Sequence, residues 1–388
     1  MDALLAGPCS AAADLLSEQL GRFSCDAPAF VHFRNPAHLS NWTLPVLEAL
    51  MLVGSGLALA HGVRRWRRAA DPTPLVLWFA SIVYVLVIEP PLYFPRAFHA
   101  DGYLGTVFVH NVFTVDLLYD RLPLYIVALY TALPVLAFEI VRTLGLFRRG
   151  PVTGAACVGV VHSTFYEVFD HLGPQLRWWA WNTGNPMNRP FFSSVPLTSV
   201  TLFAAVGPAA LVYLVHRLVG RPLASGARID RTGYLWRTAL AGALVPAAMS
   251  VAAIPSSVLG GHHPHVVARA VVLSLELAVM WWVAVRAVLG NRGSVSGVDG
   301  ASPSRGFVLG FGAAYLAAFG VLWGTALPAF VDARHGVTSD HTPVGNLAFA
   351  AASYLAAVGW LVAAARAGGR TGQRPGAGRA MASPATRR

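Results

Sequence analysis

One apolar segment carries the residues best placed to do chemistry: His162-Ser163-Thr164-Phe165-Tyr166-Glu167-Val168-Phe169-Asp170-His171. At 100° per residue of α-helix, His162, Ser163, Tyr166, Glu167, Asp170 and His171 share one half of the helix surface. Val161, Phe165, Val168 and Phe169 take the other half. Glu167 stands three residues from Asp170 and four from His171, the spacings at which helical side chains meet. Ionisable groups in a membrane helix cost about 2.5–3.5 kcal/mol each on insertion scales and face the bundle interior or a cavity. Burial disfavours a charged carboxyl, so one member of a close buried pair can hold a proton at neutral pH. The stripe therefore reads as an acid–base site, with Asp170, Glu167 and His162 as catalytic candidates and Tyr166 and His171 beside them. The competing reading is a network of interhelical hydrogen bonds that only holds a bundle together.

Directly downstream lies Gly173-Pro174-Gln175-Leu176-Arg177-Trp178-Trp179-Ala180-Trp181-Asn182, followed by Phe191, Phe192 and Pro196. Trp178, Trp179 and Trp181 either form an aromatic belt at the headgroup level or wall a pocket, where indole faces stabilise positive charge. Glu276 falls near the middle of an apolar run, the most expensive depth, and is a further pocket candidate. Glu48 lies in an outer half-span. Glu89, before Pro90-Pro91, reads as interfacial, and Glu139 with Arg142 as a structural pair. Asp120, ahead of Pro123, reads as a helix cap. Histidines 99, 110, 171, 262, 263, 265, 335 and 341 collect in alternate loops. His262-His263-Pro264-His265 offers a metal site as one reading. Without His-x-x-x-His or His-Glu-x-x-His spacing, scattered interfacial histidines are the better one, and no metal is assigned. No phosphate loop or Cys-x-x-Cys occurs, and no cofactor is implied.

These residues are positioned by long apolar elements. Of the 388 residues 55% are hydrophobic and 12% charged, against about 25% charged in soluble domains. Mean hydropathy is +0.54. Runs of about 20 apolar residues match helices crossing about 30 Å of hydrocarbon, and their length and lack of alternation exclude a barrel. The expected fold is an all-α, polytopic transmembrane helical bundle. Its spans fall near 42–62, 73–94, 121–147, 151–172, 195–217, 234–259, 265–287, 306–330 and 344–366. Residues 1–41 form an N-terminal segment and residues 367–388 a basic, disordered tail.

The net charge of +11 comes entirely from arginines, since lysine is absent. They crowd alternate loops: Arg64 to Arg68, Arg148 and Arg149, Arg217 to Arg237, Arg286 to Arg305, and Arg366 onward. The intervening loops hold few. By the positive-inside rule the C-terminus is cytoplasmic, the N-terminus outside, and the protein lies in a cell membrane. This distribution explains the charge without nucleic acid. Three cysteines exclude a disulfide scaffold, although Cys9 and Cys25 can pair if the N-terminus is outside.

Residues 162–199, about a tenth of the 388, carry a pattern. Asp170, Trp178-Trp179-x-Trp181, Phe192 and Pro196 resemble a poorly characterised family of multi-pass membrane proteins with an Asp…Trp-Trp-x-Trp motif. More remotely the arrangement is similar to carotenoid hydratases of the bacterioruberin type. Val195-Pro196-Leu197-Thr198-Ser199 stands where those have an aromatic–Pro–Ser stretch, whereas Gly173-Pro174-Gln175 and the larger number of spans depart from them. The resemblance implies an enzyme acting on a hydrophobic, isoprenoid-like lipid by protonating a double bond, for hydration or cyclisation. A transporter or channel using the polar stripe, and a non-catalytic membrane scaffold, are the alternatives. The number of copies in the assembly is not encoded in any of these features.

Overall fold

The computed structural model describes residues 11–18, 20, 27–102, 104–259, 265–290 and 304–369. Cys9, Cys25, His262, His263 and the tail beyond residue 369 lie outside the described residues. Among the described residues, nine helices are long and apolar enough to cross a membrane. We label them α1 (Thr43–Ala69), α2 (Thr73–Tyr93), α3 (Leu124–Thr143), α4 (Pro151–Asp170), α5 (Ser199–Ala224), α6 (Arg231–Val258), α7 (Val266–Leu289), α8 (Arg305–Val331) and α9 (Leu347–Ala367). The protein is a multi-pass integral membrane protein built as a helical bundle.

α3 and α4 form its centre: 83% and 78% of their apolar windows are buried, against 11% for α7. α3 is shorter than the apolar run at 121–147. Leu122–Pro123 is consumed in a strand, and Gly145, at φ 69°, stops the helix. Asp120 caps no helix, because the residue before α3 is Pro123. Its carboxylate instead receives His32 Nδ1 at 3.0 Å and Arg34. α6 breaks at Leu244, since Pro246 has no N–H to give to the carbonyl four residues back.

The segment before α1 and the connections between α2 and α3 and between α4 and α5 fold into small sheets over one end of the bundle. β1 (Val31–Phe33) pairs with β3 (Val115–Leu117), which pairs with β4 (Leu122–Pro123). β2 (Phe108–His110) pairs antiparallel with β5 (Trp179–Trp181), and β6 (Phe191–Phe192) with β7 (Val195–Pro196). Glu48 of α1 fastens this end, its two carboxylate oxygens taking the Thr114 and Val115 N–H groups at 3.0 Å.

The opposite end is held by charge. Buried Glu139 of α3 takes hydrogen bonds from His61 Nε2 (2.9 Å), Ser304 Oγ (2.8 Å) and Arg142. Arg142 also reaches Asp71, which Arg65 contacts at 2.8 Å. The pair read from sequence is thus one link of a network.

Candidate functional site

The stripe on α4 does not face one space. Because α4 runs through the centre of the bundle, both flanks of its polar half are walled by other helices. Tyr166 and Asp170, four residues apart, line a cavity of about 350 Å³. Ser163 and Glu167, also four apart, line a separate one of about 130 Å³. Tyr166 and Glu167 are consecutive and point about 100° apart, which is enough to divide them.

The larger cavity lies under the sheet end. Its floor is α2 (Val87, Glu89), α3 (Ile126, Tyr130) and α4; its roof is β2 and β5. Alternation along a strand puts residues i and i+2 on one face. Trp179 and Trp181 therefore look the same way, and the register sets them against His110 and Phe108. All four line the cavity. Phe108 and Trp181 meet edge-on at 5.3 Å, and Trp179 packs on Phe169 of α4 at 4.8 Å. Trp178 points the other way. It is fully buried, stacks on Phe169, and donates its indole N–H to Thr43 Oγ1 at 2.9 Å. The tryptophans thus form a pocket roof and its anchor.

Two carboxyls meet this apolar space. Asp170 is fully buried and accepts Ser199 Oγ–H on Oδ2 at 2.7 Å, while Oδ1 has no partner. Glu89, read as interfacial, is 4% exposed; Tyr130 O–H donates to its Oε1 at 2.9 Å and Oε2 has no partner. The indole N–H groups of Trp179 and Trp181 are also unpartnered. Buried polar atoms are rarely left so, and here four of them surround one hollow. His110 is a neutral wall: burial pushes its imidazole down to about 3. The lining residues Val87 and Ser250 are exposed, so the cavity opens on the flank of the bundle between α2 and α6.

Ser199 reaches Asp170 through an irregular helix. Residues Ser199–Val206 are π-helical, with Gly207 N–H bonded to Leu202 C=O. The α-helical donor to Ala204 C=O would be Pro208, which has none. His162 Nδ1–H supplies it at 2.7 Å. His162 is absent from the lining of both cavities, and its Nδ1–H is committed to the α5 backbone. Glu276 of α7 is half-buried, has a free Oε2, and also lines neither cavity. His171 follows α4; its Nδ1 accepts the Asn346 N–H at 3.1 Å. The ring hydrogen is therefore on Nε2, 3.4 Å from Glu167 Oε2. Burial pushes His171 down to about 4, although Asp170 nearby opposes this.

Sequence reasoning missed Glu89, His110 and Phe108. Glu89 gave a signal, an acid within an apolar run. The strand partners of Trp179 and Trp181 gave none, because their pairing spans some 70 residues. Against protein-family models, curated proteins and solved structures, the chain has no match.

Proposed function

We propose that this protein is a membrane-embedded enzyme that takes an isoprenoid-like lipid from the bilayer and protonates one of its double bonds. The observation carrying this reading is the flank-opening, aromatic-walled cavity that holds two carboxyls, each with a free oxygen. Its volume lies within the 300–1,000 Å³ of small-molecule sites. Asp170 is the general acid, oriented by Ser199. Its O–H breaks as a C–H bond forms on the alkene, leaving a carbocation. The faces of Trp179, Trp181 and Phe108 stabilise that cation. Water or a second double bond then adds to it, and Glu89, held by Tyr130, accepts the proton released. Of the six residues that carry the family resemblance, Asp170, Trp179, Trp181 and Pro196 line this cavity. Trp178 lies behind it, and Phe192 packs on His171 and Phe349. In the same reading the sheet end faces outward and the arginine-rich end the cytoplasm of the cell, with the C-terminus inside.

The test is expression in a host making prenyl lipids or carotenoids, with mass spectrometry of the extract. Hydration adds one water; cyclisation changes retention at constant mass. Asp170→Asn and Glu89→Gln keep shape and should each lower turnover by about 10²–10⁴-fold while the protein still folds. No new lipid across a broad panel, with solute uptake that needs the same carboxyls, would replace the enzyme by a transporter.

A further inference from the structure

The smaller cavity, on the other flank of α4, is chemically distinct. Glu167 is 1% exposed, and neither carboxyl oxygen has a hydrogen-bond partner. The His171 Nε2–H is 3.4 Å away and is itself unpartnered. Ser163 and Ser353 add hydroxyls, and Trp281 of α7 and Phe349 of α9 add aromatic walls. Ser163 gives its hydrogen to the Val160 carbonyl at 2.8 Å, so its oxygen is left to accept. Ala352, also on the wall, is exposed, which puts an opening between α7 and α9.

We propose that this cavity is a second ligand site, which takes a small alkylamine and holds it as its ammonium ion. A single buried carboxyl without a counter-charge suits a single positive charge. A divalent metal would need more anionic or imidazole ligands, and among the described residues no cluster of three His, Cys, Asp or Glu forms one. At about 130 Å³ the hollow far exceeds the 10–15 Å³ that one water requires. Its walls are mainly apolar, which suits an alkyl body, and aromatic faces attract the cationic head. The mouth lies on the flank, so the amine arrives from the bilayer as its free base. Its nitrogen takes the proton of the Glu167 carboxyl: the O–H bond breaks, an N–H bond forms, and a carboxylate–ammonium pair remains. Charge-assisted hydrogen bonds of this kind are the strong ones.

The probe is n-butylamine, titrated against the full-length protein in lipid nanodiscs with thermal unfolding as readout. Ligand binding to the folded state raises Tm in proportion to the logarithm of excess ligand. A rise that grows with the logarithm of concentration is expected with n-butylamine and not with n-butanol, butyrate or sodium chloride at equal concentration. Glu167→Gln should weaken binding at least tenfold, and Ala352→Phe, which closes the mouth, should do the same if the first variant does not fold. Glu89→Gln, in the other cavity, should retain it. The proposal is overturned by no rise in wild type, by an equal rise with n-butanol or sodium chloride, or by an undiminished rise in Glu167→Gln or, if that variant does not fold, in Ala352→Phe.

Discussion

Gly173→Ala tests how the pocket roof is held. Gly173 is buried at the turn that follows α4, beneath the Trp179 indole. A methyl there would press on three ring atoms, and even the third-nearest, Cζ2, would be 2.5 Å away. Carbon contacts settle near 3.5–4.0 Å, so the indole must move by about 1 Å or more. Phe169 and Trp178 back Trp179 on the protein side, with ring centroids 4.8 and 6.2 Å away. The free direction is into the cavity. Overpacking of this kind costs about 1–3 kcal/mol, read as a lower Tm in nanodiscs. Trp179→Phe removes the colliding ring, so the double variant should be less destabilised than the sum of the singles by a similar amount. A Gly173→Ala protein within about 0.5 kcal/mol of wild type, or a double variant that is simply additive, would refute this packing; changes within that margin are typical of neutral surface sites.

The remaining predictions concern charge and topology. His110 ionises near pH 3 when folded and near 6.5 when unfolded. The unfolded chain therefore takes up a proton that the folded one refuses, and stability should fall as pH drops from about 6.5 towards 3. His110→Gln should flatten that slope in pH-dependent melts, and an NMR titration in which His110 protonates near pH 6 would sink the idea. Glu139→Ala removes the buried acceptor shared by His61, Ser304 and Arg142, of which Arg142 keeps Asp71, and should cost about 1–3 kcal/mol; a melt shifted by less than about 0.5 kcal/mol would mean the network does not hold this end. Reporter fusions after residue 366 and within 262–265 should report opposite sides of the membrane, and the same side for both would break the arginine-based orientation.

The spans were legible because run length and the flanking arginines are local signals. Most helices begin and end within a few residues of their apolar runs. But α1 and α5 continue through arginine-bearing turns to Ala69 and Ala224, well past the expected ends at 62 and 217, while Leu122–Pro123 leaves α3 to pair with β3 and Val195–Pro196 leaves α5 to pair with β6. The stripe on α4 was legible as a polar half-surface. Its division between two cavities was not, since a helical projection gives angles and says nothing of what stands at each. Glu89 beside Pro90-Pro91 resembled a helix end at an interface. The helix runs on to Tyr93, and loop segments from beyond it cover the acid. Asp120 found Arg34 across 86 residues of chain, a pairing without local trace.

The position of the larger cavity's mouth, between Val87 and Ser250, sets how its ligand should be counted. A guest that enters sideways is drawn from a two-dimensional solvent, and what governs occupancy is its mole fraction among the surrounding lipids. Adding empty vesicles that exchange lipid with the protein's own membrane would dilute it, although its concentration in the tube barely changes. Detergent would act the same way, and its tails would also compete for the opening. Rates measured in micelles would then scale with the ratio of guest to detergent, and a Kd quoted in molar units would describe the solvent as much as the protein.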